Sequence, residues 1–189
     1  MSRLSSARVS LLVPLLWSCI GLAVTVRATP TRAEAQHFSA RNIEPGQSSA
    51  AGTRLRIPKG TASFEIPSGW HAQRPEESEA IILLSEAGDG FIMIFPMLNL
   101  TEEALIALLG ERQPITHDLV FEPSRPVTRV GNRVMADYKA GSFSGHAICL
   151  MGPGQESVLF FLASRPTDSD APASVLEQLA DSTEFGMTQ

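Results

Sequence analysis

Ala80-Ile-Ile-Leu-Leu-Ser85 is followed by a Glu86-Ala-Gly-Asp-Gly90 break and then by Phe91-Ile-Met-Ile-Phe-Pro-Met97. Two apolar, partly β-branched runs around a short Gly/Asp break read as a β-hairpin. Neither run alternates cleanly with polar residues, so both faces of the pair are expected to be covered. A hairpin of this kind belongs in the middle of a sheet, with other segments packed on each side.

Working outward from it, Leu55 and Ile57 alternate with Arg54 and Arg56 as a short edge strand ended by Pro58. Phe64 and Ile66 form a second strand. Pro67-Ser68-Gly69-Trp70 follows, read as a type I turn with Ile66 at its first position, and Trp70 re-enters the sheet. After Met97, Thr101 is a good N-cap, Glu102 and Glu103 suit the positive end of a helix dipole, and Gly110 is a natural stop. Leu105, Leu108 and Leu109 give that helix its buried stripe. The glutamates serve the helix dipole rather than acid/base chemistry.

Residues 110–127 are polar and punctuated by Pro114, Pro123 and Pro126, with at most a weak strand over 118–121. Val134, Ala136 and Tyr138 alternate with Arg133, Met135, Asp137 and Lys139 as a half-exposed strand. Residues 146–151 make another, linked through Gly152-Pro153-Gly154 to Val158-Leu-Phe-Phe-Leu-Ala163, which is expected to be buried on both faces. A last helix turns Val175, Leu176 and Leu179 inward, and residues 182–186 extend as a terminal strand. The fold class that follows is α+β: a mainly antiparallel sheet covered by helices on both faces, an α/β/α sandwich.

The N-terminus reads as an address. Arg3 and Arg8 precede an apolar stretch over residues 9–26, and Val26-Arg27-Ala28 supplies a small-residue cleavage site before Thr29. An uncleaved anchor is opposed by Pro14, Gly21 and Arg27. A lipoprotein signal at Leu16-Trp17-Ser18-Cys19 is the other alternative, with Trp17 fitting poorly. Either way the chain is expected to be exported, periplasmic or secreted, with membrane attachment only through a lipid at Cys19 or a retained leader. The organisation is then a signal peptide over 1–28, a flexible linker over 29–52 and one domain over 53–186.

Net charge is −5 over 189 residues, and removing the leader takes away Arg3, Arg8 and Arg27 but no acid, moving it to −8. So acidic a chain lacks the electrostatic footprint for nucleic acid or anionic lipid. Cys149 is the only cysteine outside the leader, which excludes an internal disulfide in the exported form and reads as a small buried hydrophobe.

The phrase Phe64-Glu-Ile-Pro-Ser-Gly-Trp70, the apolar hairpin, the Thr101-Glu-Glu-Ala helix and the closing helix together resemble the PsbP-like fold family. That family includes a photosystem II extrinsic subunit, a Ran-GTPase-binding nuclear protein and exported proteins of the DcrB type. The resemblance covers residues 53–186 and implies a non-catalytic module that binds another protein or assists an assembly. It carries over no site residue.

Catalytic patterns fail one by one. Gly141-Ser-Phe-Ser-Gly145 centres on Phe143, where a nucleophile elbow needs serine. His146 and Cys149, three apart on one strand, point to opposite faces. Gly152-x-Gly154 lacks a third glycine and a following helix. Asp168-Ser-Asp170 begins like a calcium loop but runs into Ala-Pro-Ala. His37, His71, His117 and His146 have no zinc spacing, and Asn99-Leu-Thr101 reads as a helix start. No cofactor or metal is expected.

The reading is therefore a binding or assembly module with a protein partner. Its rival is a small secreted hydrolase whose site is assembled from separate loops, for instance His71, His117 and Asp118. A carrier of a small apolar ligand is a third alternative and needs a cavity beneath one helix. Recognition is assigned to the proline-rich 110–127 segment, where His117, Glu122 and Arg125 are the candidate binding residues.

Overall fold

The computed structural model describes residues 39–116, 118–165 and 171–186, with backbone alone at 171–173. Its elements are β1 (Ser48–Ser49), β2 (Arg54–Arg56), β3 (Ser63–Glu65), β4 (Trp70–Gln73), β5 (Ile81–Ser85), β6 (Gly90–Leu98), α1 (Glu102–Leu109), β7 (Gln113–Thr116) and β8 (Leu119–Pro123). Then come β9 (Thr128–Val130), β10 (Arg133–Ala140), β11 (Phe143–Met151), β12 (Glu156–Ser164) and α2 (Ala171–Ser182). The main sheet has ten strands in the order β1-β4-β5-β6-β12-β11-β10-β8-β7, with β9 also on β10, and every named pair is antiparallel. β2 and β3 form a separate antiparallel pair. The expected sheet-and-two-helix protein is thus found.

β6 and β12 are the long inner strands, paired from Leu98 with Glu156 to Gly90 with Ser164. Residues 158–163 are all buried, as the unbroken apolar run predicts. Alternate residues of β12 enter two separate cores, because successive side chains leave a strand on opposite sides. Val158, Phe160 and Leu162 pack with Phe64 of β3 and with Leu176 and Leu179 of α2. Leu159, Phe161 and Ala163 pack with Leu105 and Leu109 of α1, Phe121 and Tyr138.

The β5–β6 hairpin forms as read, with Gly88 at φ 72 in its turn. Its coverage differs from expectation. Ile81, Leu83, Ile92 and Ile94 are 0% exposed, whereas Ile82, Leu84, Phe91, Met93 and Phe95 on the other side stay half-buried. The reason is the position of α1, which packs along β10 and β11 rather than over the hairpin.

Three boundaries are corrected. Ordered structure precedes residue 53: Ile43 is buried, Arg41 bridges to Leu55, and β1 pairs with β4. The turn before Trp70 starts one residue later than read, since Trp70 N–H donates to Pro67 O at 3.3 Å and Gly69 takes φ 79. Positive φ at the third position belongs to a type II turn and explains the glycine. Residues 113–116 and 119–123 pair as β7 and β8 rather than running as an irregular connection, because Phe121 is fully buried and Ile115 and Leu119 pack beside it. Pro114 is tolerated because β7 is the outermost strand.

The α1 start is as read: Thr101 Oγ1 accepts from Ala104 N–H at 3.3 Å. The terminal strand shrinks to one bridge between Ser63 and Glu184.

Candidate functional site

The predicted binding residues lie where α1 ends and the β7–β8 hairpin begins. α1 has no basic residue in its last turn, and Gly110 is in the right-handed region (φ −78), so the stop does not use glycine's freedom. Side chains take the helix-end carbonyls instead. Gln113 Nε2 donates to Leu108 O at 2.7 Å and Glu111 O at 3.1 Å, and Tyr138 Oη–H donates to Leu109 O at 2.6 Å. Burial pushes the Tyr138 phenol up to about 12, against the opposing hydrogen bond from Gln113. Phe121 stacks edge-on against Phe161 at 5.2 Å, and Gly145 makes room for it, since a Cβ there would meet Phe121 Cδ1 at 2.7 Å.

This anchoring leaves an open groove of about 690 Å³ between Glu111, Arg112 and Pro114 after the helix and Val120, Glu122 and Pro123 of β8. Its charges are arranged in pairs. Arg112 Nη1 is 3.7 Å from Glu122 Oε1, and Glu122 sits opposite Lys139 of β10. Beyond the hairpin, Arg125 Nη1 lies 3.5 Å from Asp137 Oδ2, whose other oxygen is 2.8 Å from His146 Nδ1. Asp137 and His146 are directly opposite on β10 and β11, so the register itself makes this contact. Ser124 N–H donates to Asp137 O at 2.8 Å and pins the Arg125 segment to the same strand.

Glu122 and Arg125 are therefore exposed on one edge of the sheet. His117 lies outside the described residues. Asp137 and His146 complete the charged edge, and the sequence reading had not paired them.

The rival hydrolase constellation is not assembled. His71 is on β4, half-buried and opposite Leu84, while Asp118 lies in the β7–β8 turn. Six strand spacings separate β4 from β8 in the sheet order, roughly 29 Å at about 4.8 Å each. Cys149 faces Val134 in the α1-side core, and burial pushes its thiol up to about 12, so it is no thiolate nucleophile. Among the described residues no group of three His, Cys, Asp or Glu side chains is placed to hold a metal ion. Among them, too, no helix is long and apolar enough to cross a membrane.

A second, smaller hollow of about 280 Å³ gathers Asn42, Glu44, Arg56, Lys59 and Arg74. Its cations are largely committed. Arg74 donates to Ile43 O at 3.1 Å and Ser78 O at 3.2 Å, and Lys59 pairs with Glu79.

No protein-family model matches the chain, and no curated protein is significantly similar to it in sequence. Solved structures do match. The solution structure of cyanobacterial PsbP (CyanoP) from Synechocystis sp. PCC 6803 is 15% identical with a TM-score of 0.50, covering 77% of this chain and 98% of that one. The Saccharomyces cerevisiae Ran-binding protein Mog1p is 9% identical with a TM-score of 0.45, covering 72% of this chain and 96% of its own. The fold is PsbP-like, as the sequence resemblance implies.

Proposed function

We propose that this protein is an exported, non-catalytic binding or assembly module that recognises another protein through the charged edge at Glu122 and Arg125. The observation that carries the reading is that edge: an open groove flanked by Arg112 and Glu122, beside the Arg125–Asp137–His146 chain, with no nucleophile and base among the described residues converging in it. Opposite charges presented along one edge suit recognition, because they steer and orient a partner of complementary charge pattern. The finer architecture is an α/β/α sandwich in which α1 and α2 lie on opposite sides of the sheet. Support comes from Leu105 and Leu109 grouping with Leu159 and Phe161, and Leu176 and Leu179 with Phe160 and Leu162. The domain spans residues 39–186 on this reading, with 1–28 as a cleaved leader.

The test replaces His117, Glu122 and Arg125 by Ala together, then compares melting and the recovery of cross-linked partners from the native envelope or secretion fraction. Unchanged melting with loss of a specific partner is expected. Recovery of the same partners by the variant moves the interface elsewhere.

A further inference from the structure

The β5–β6 hairpin lies inside the sheet and shows a marked contrast between its sides. On one side Ile81, Leu83, Ile92 and Ile94 are 0% exposed, in the core that also holds Leu55, Phe64 and Ile66. On the other, Ile82, Leu84, Phe91, Met93, Phe95 and Met97 remain half-buried. Register joins these six into a continuous strip, since Ile82 is opposite Met93 and Leu84 opposite Phe91. Phe91, Met93, Phe95 and Met97 rest against the α1-side core on their inner part, so only their outer part forms the strip. We propose that this strip is a docking surface for an amphipathic helix of a partner polypeptide whose polar flank is basic. The inference is independent of the Glu122–Arg125 edge and does not share its residues.

A helix is the occupant that the geometry favours. The strands beneath are already hydrogen-bonded to their neighbours, so an extended peptide lying across them would leave its own backbone groups unpaired. A helix satisfies its backbone internally. α1 packs along β10 and β11 on this side. The β5–β6 pair lies three strand spacings, roughly 14 Å, from the β10–β11 pair under α1, more than the roughly 8–10 Å between neighbouring helices, so a second helix fits beside α1. On β6 the strip runs from Phe91 to Met97, about 20 Å, enough for between three and four helical turns. Two methionines in it give a surface that adapts to the side chains presented.

Charge selects the partner's polar face. Glu76 and Glu77 lie in the β4–β5 connection, Glu86 and Asp89 in the β5–β6 turn, and Glu103 at the start of α1, so acids stand at both ends of the strip. Among the described residues none of these five shares an ion pair, whereas Glu79 and Glu102 are paired with Lys59 and Arg129. Lysine or arginine on the incoming helix would neutralise them, while an acidic helix or an anionic lipid surface is repelled.

The test uses the full chain and three labelled peptides of about five turns: an amphipathic Leu/Lys helix, the same pattern with Glu for Lys, and a scrambled Leu/Lys sequence without a stripe. Fluorescence anisotropy should show the first binding at least about tenfold tighter than the other two. That binding should weaken several-fold between about 0.05 and 0.3 M salt. Met93→Lys should lower it at least about tenfold while melting stays within about 2 °C. Should that variant not fold, Met93→Gln gives the same reading. Joint Glu76→Gln, Glu77→Gln, Glu86→Gln and Asp89→Asn should flatten the salt dependence. Equal binding of the scrambled or acidic peptide, or full binding by the Met93 variants, overturns the proposal. So does a dimer in sedimentation that Met93→Lys dissolves, which would make a second copy the occupant. Adsorption to neutral vesicles with the helical peptide silent would overturn it in favour of a lipid surface.

Discussion

Tyr138→Phe removes one oxygen and leaves the ring, so it isolates how α1 is tied to the sheet. The Tyr138 ring is 1% exposed, and its hydroxyl donates at 2.6 Å to the carbonyl of Leu109, the last residue of the helix. The ring contact with Phe161 at 5.5 Å survives the change, so no large cavity contributes. What remains is a buried carbonyl that has lost its donor, which costs about 1–3 kcal/mol. For a domain of this size melting should fall by roughly 3–10 °C. The pH dependence gives a second readout. The phenol titrates at about 12 in the folded protein against 10 for an ordinary tyrosine, and the Cys149 thiol at about 12 against 9, both raised by burial. Below the unfolded values both states hold the protons, and the folded state's advantage is intact. Above them the unfolded chain releases protons that the folded protein retains, so stability falls with rising pH until the folded values are passed. Between pH 10 and 12 both groups contribute, at about 1.4 kcal/mol per pH unit each. Urea unfolding followed by tryptophan fluorescence from pH 8 to 11 should therefore lose about half of its steepest slope in Tyr138→Phe. Unchanged melting together with an unchanged alkaline slope would refute the reasoning, because neither the hydrogen bond nor the burial would then matter.

Phe160→Ala empties a fully buried position that meets Phe64 edge-on at 6.3 Å, and it should cost about 3–5 kcal/mol by urea denaturation. Glu156 takes hydrogen bonds from Thr61 N–H at 2.7 Å, Ala62 N–H at 3.0 Å and Thr61 Oγ1–H at 2.7 Å, clasping the β2–β3 turn to β12. Glu156→Ala should destabilise by about 1–3 kcal/mol. Gly60→Ala should also destabilise, because its Cβ would strike this carboxylate, and a double-mutant cycle should show the penalty shrinking in the Glu156→Ala background. Intact mass of the exported protein should begin at Thr29 without added lipid, and a diacylated chain beginning at Cys19 would replace the leader assignment with the lipoprotein one.

The strands that were legible are those whose side chains repeat with the pleat. β12 is an unbroken apolar run, and β10 alternates Val134, Ala136 and Tyr138 inward, so pattern and burial agree residue by residue. β7 and β8 hid because a register shift between Pro114 and Thr116 breaks the two-residue period, and their anchoring rests on Phe121 alone being fully buried. Ile43 hid for a different reason. A single apolar residue among polar neighbours carries no period, and its burial comes from long-range packing with Leu55 and its neighbours.

The charged edge was half legible, and the missing half could have been counted. Gly141 takes φ 57 in a two-residue turn with Ser142, so Ala140 and Phe143 face each other. Stepping back three residues on each strand puts Asp137 opposite His146, a pairing that follows from turn length alone. What no count supplies is Arg125, because its approach to Asp137 depends on how the segment after β8 turns back along β10 through the Ser124 N–H. Local pattern therefore reaches the carboxylate and the imidazole, and tertiary hydrogen bonding brings the guanidinium. If Arg125 acts on a partner, Ser124 is a positioning residue for it. Ser124→Pro should then displace Arg125 by removing that N–H, weakening capture of the partner in the same direction as Arg125→Ala, while Asp137 and His146 stay in register.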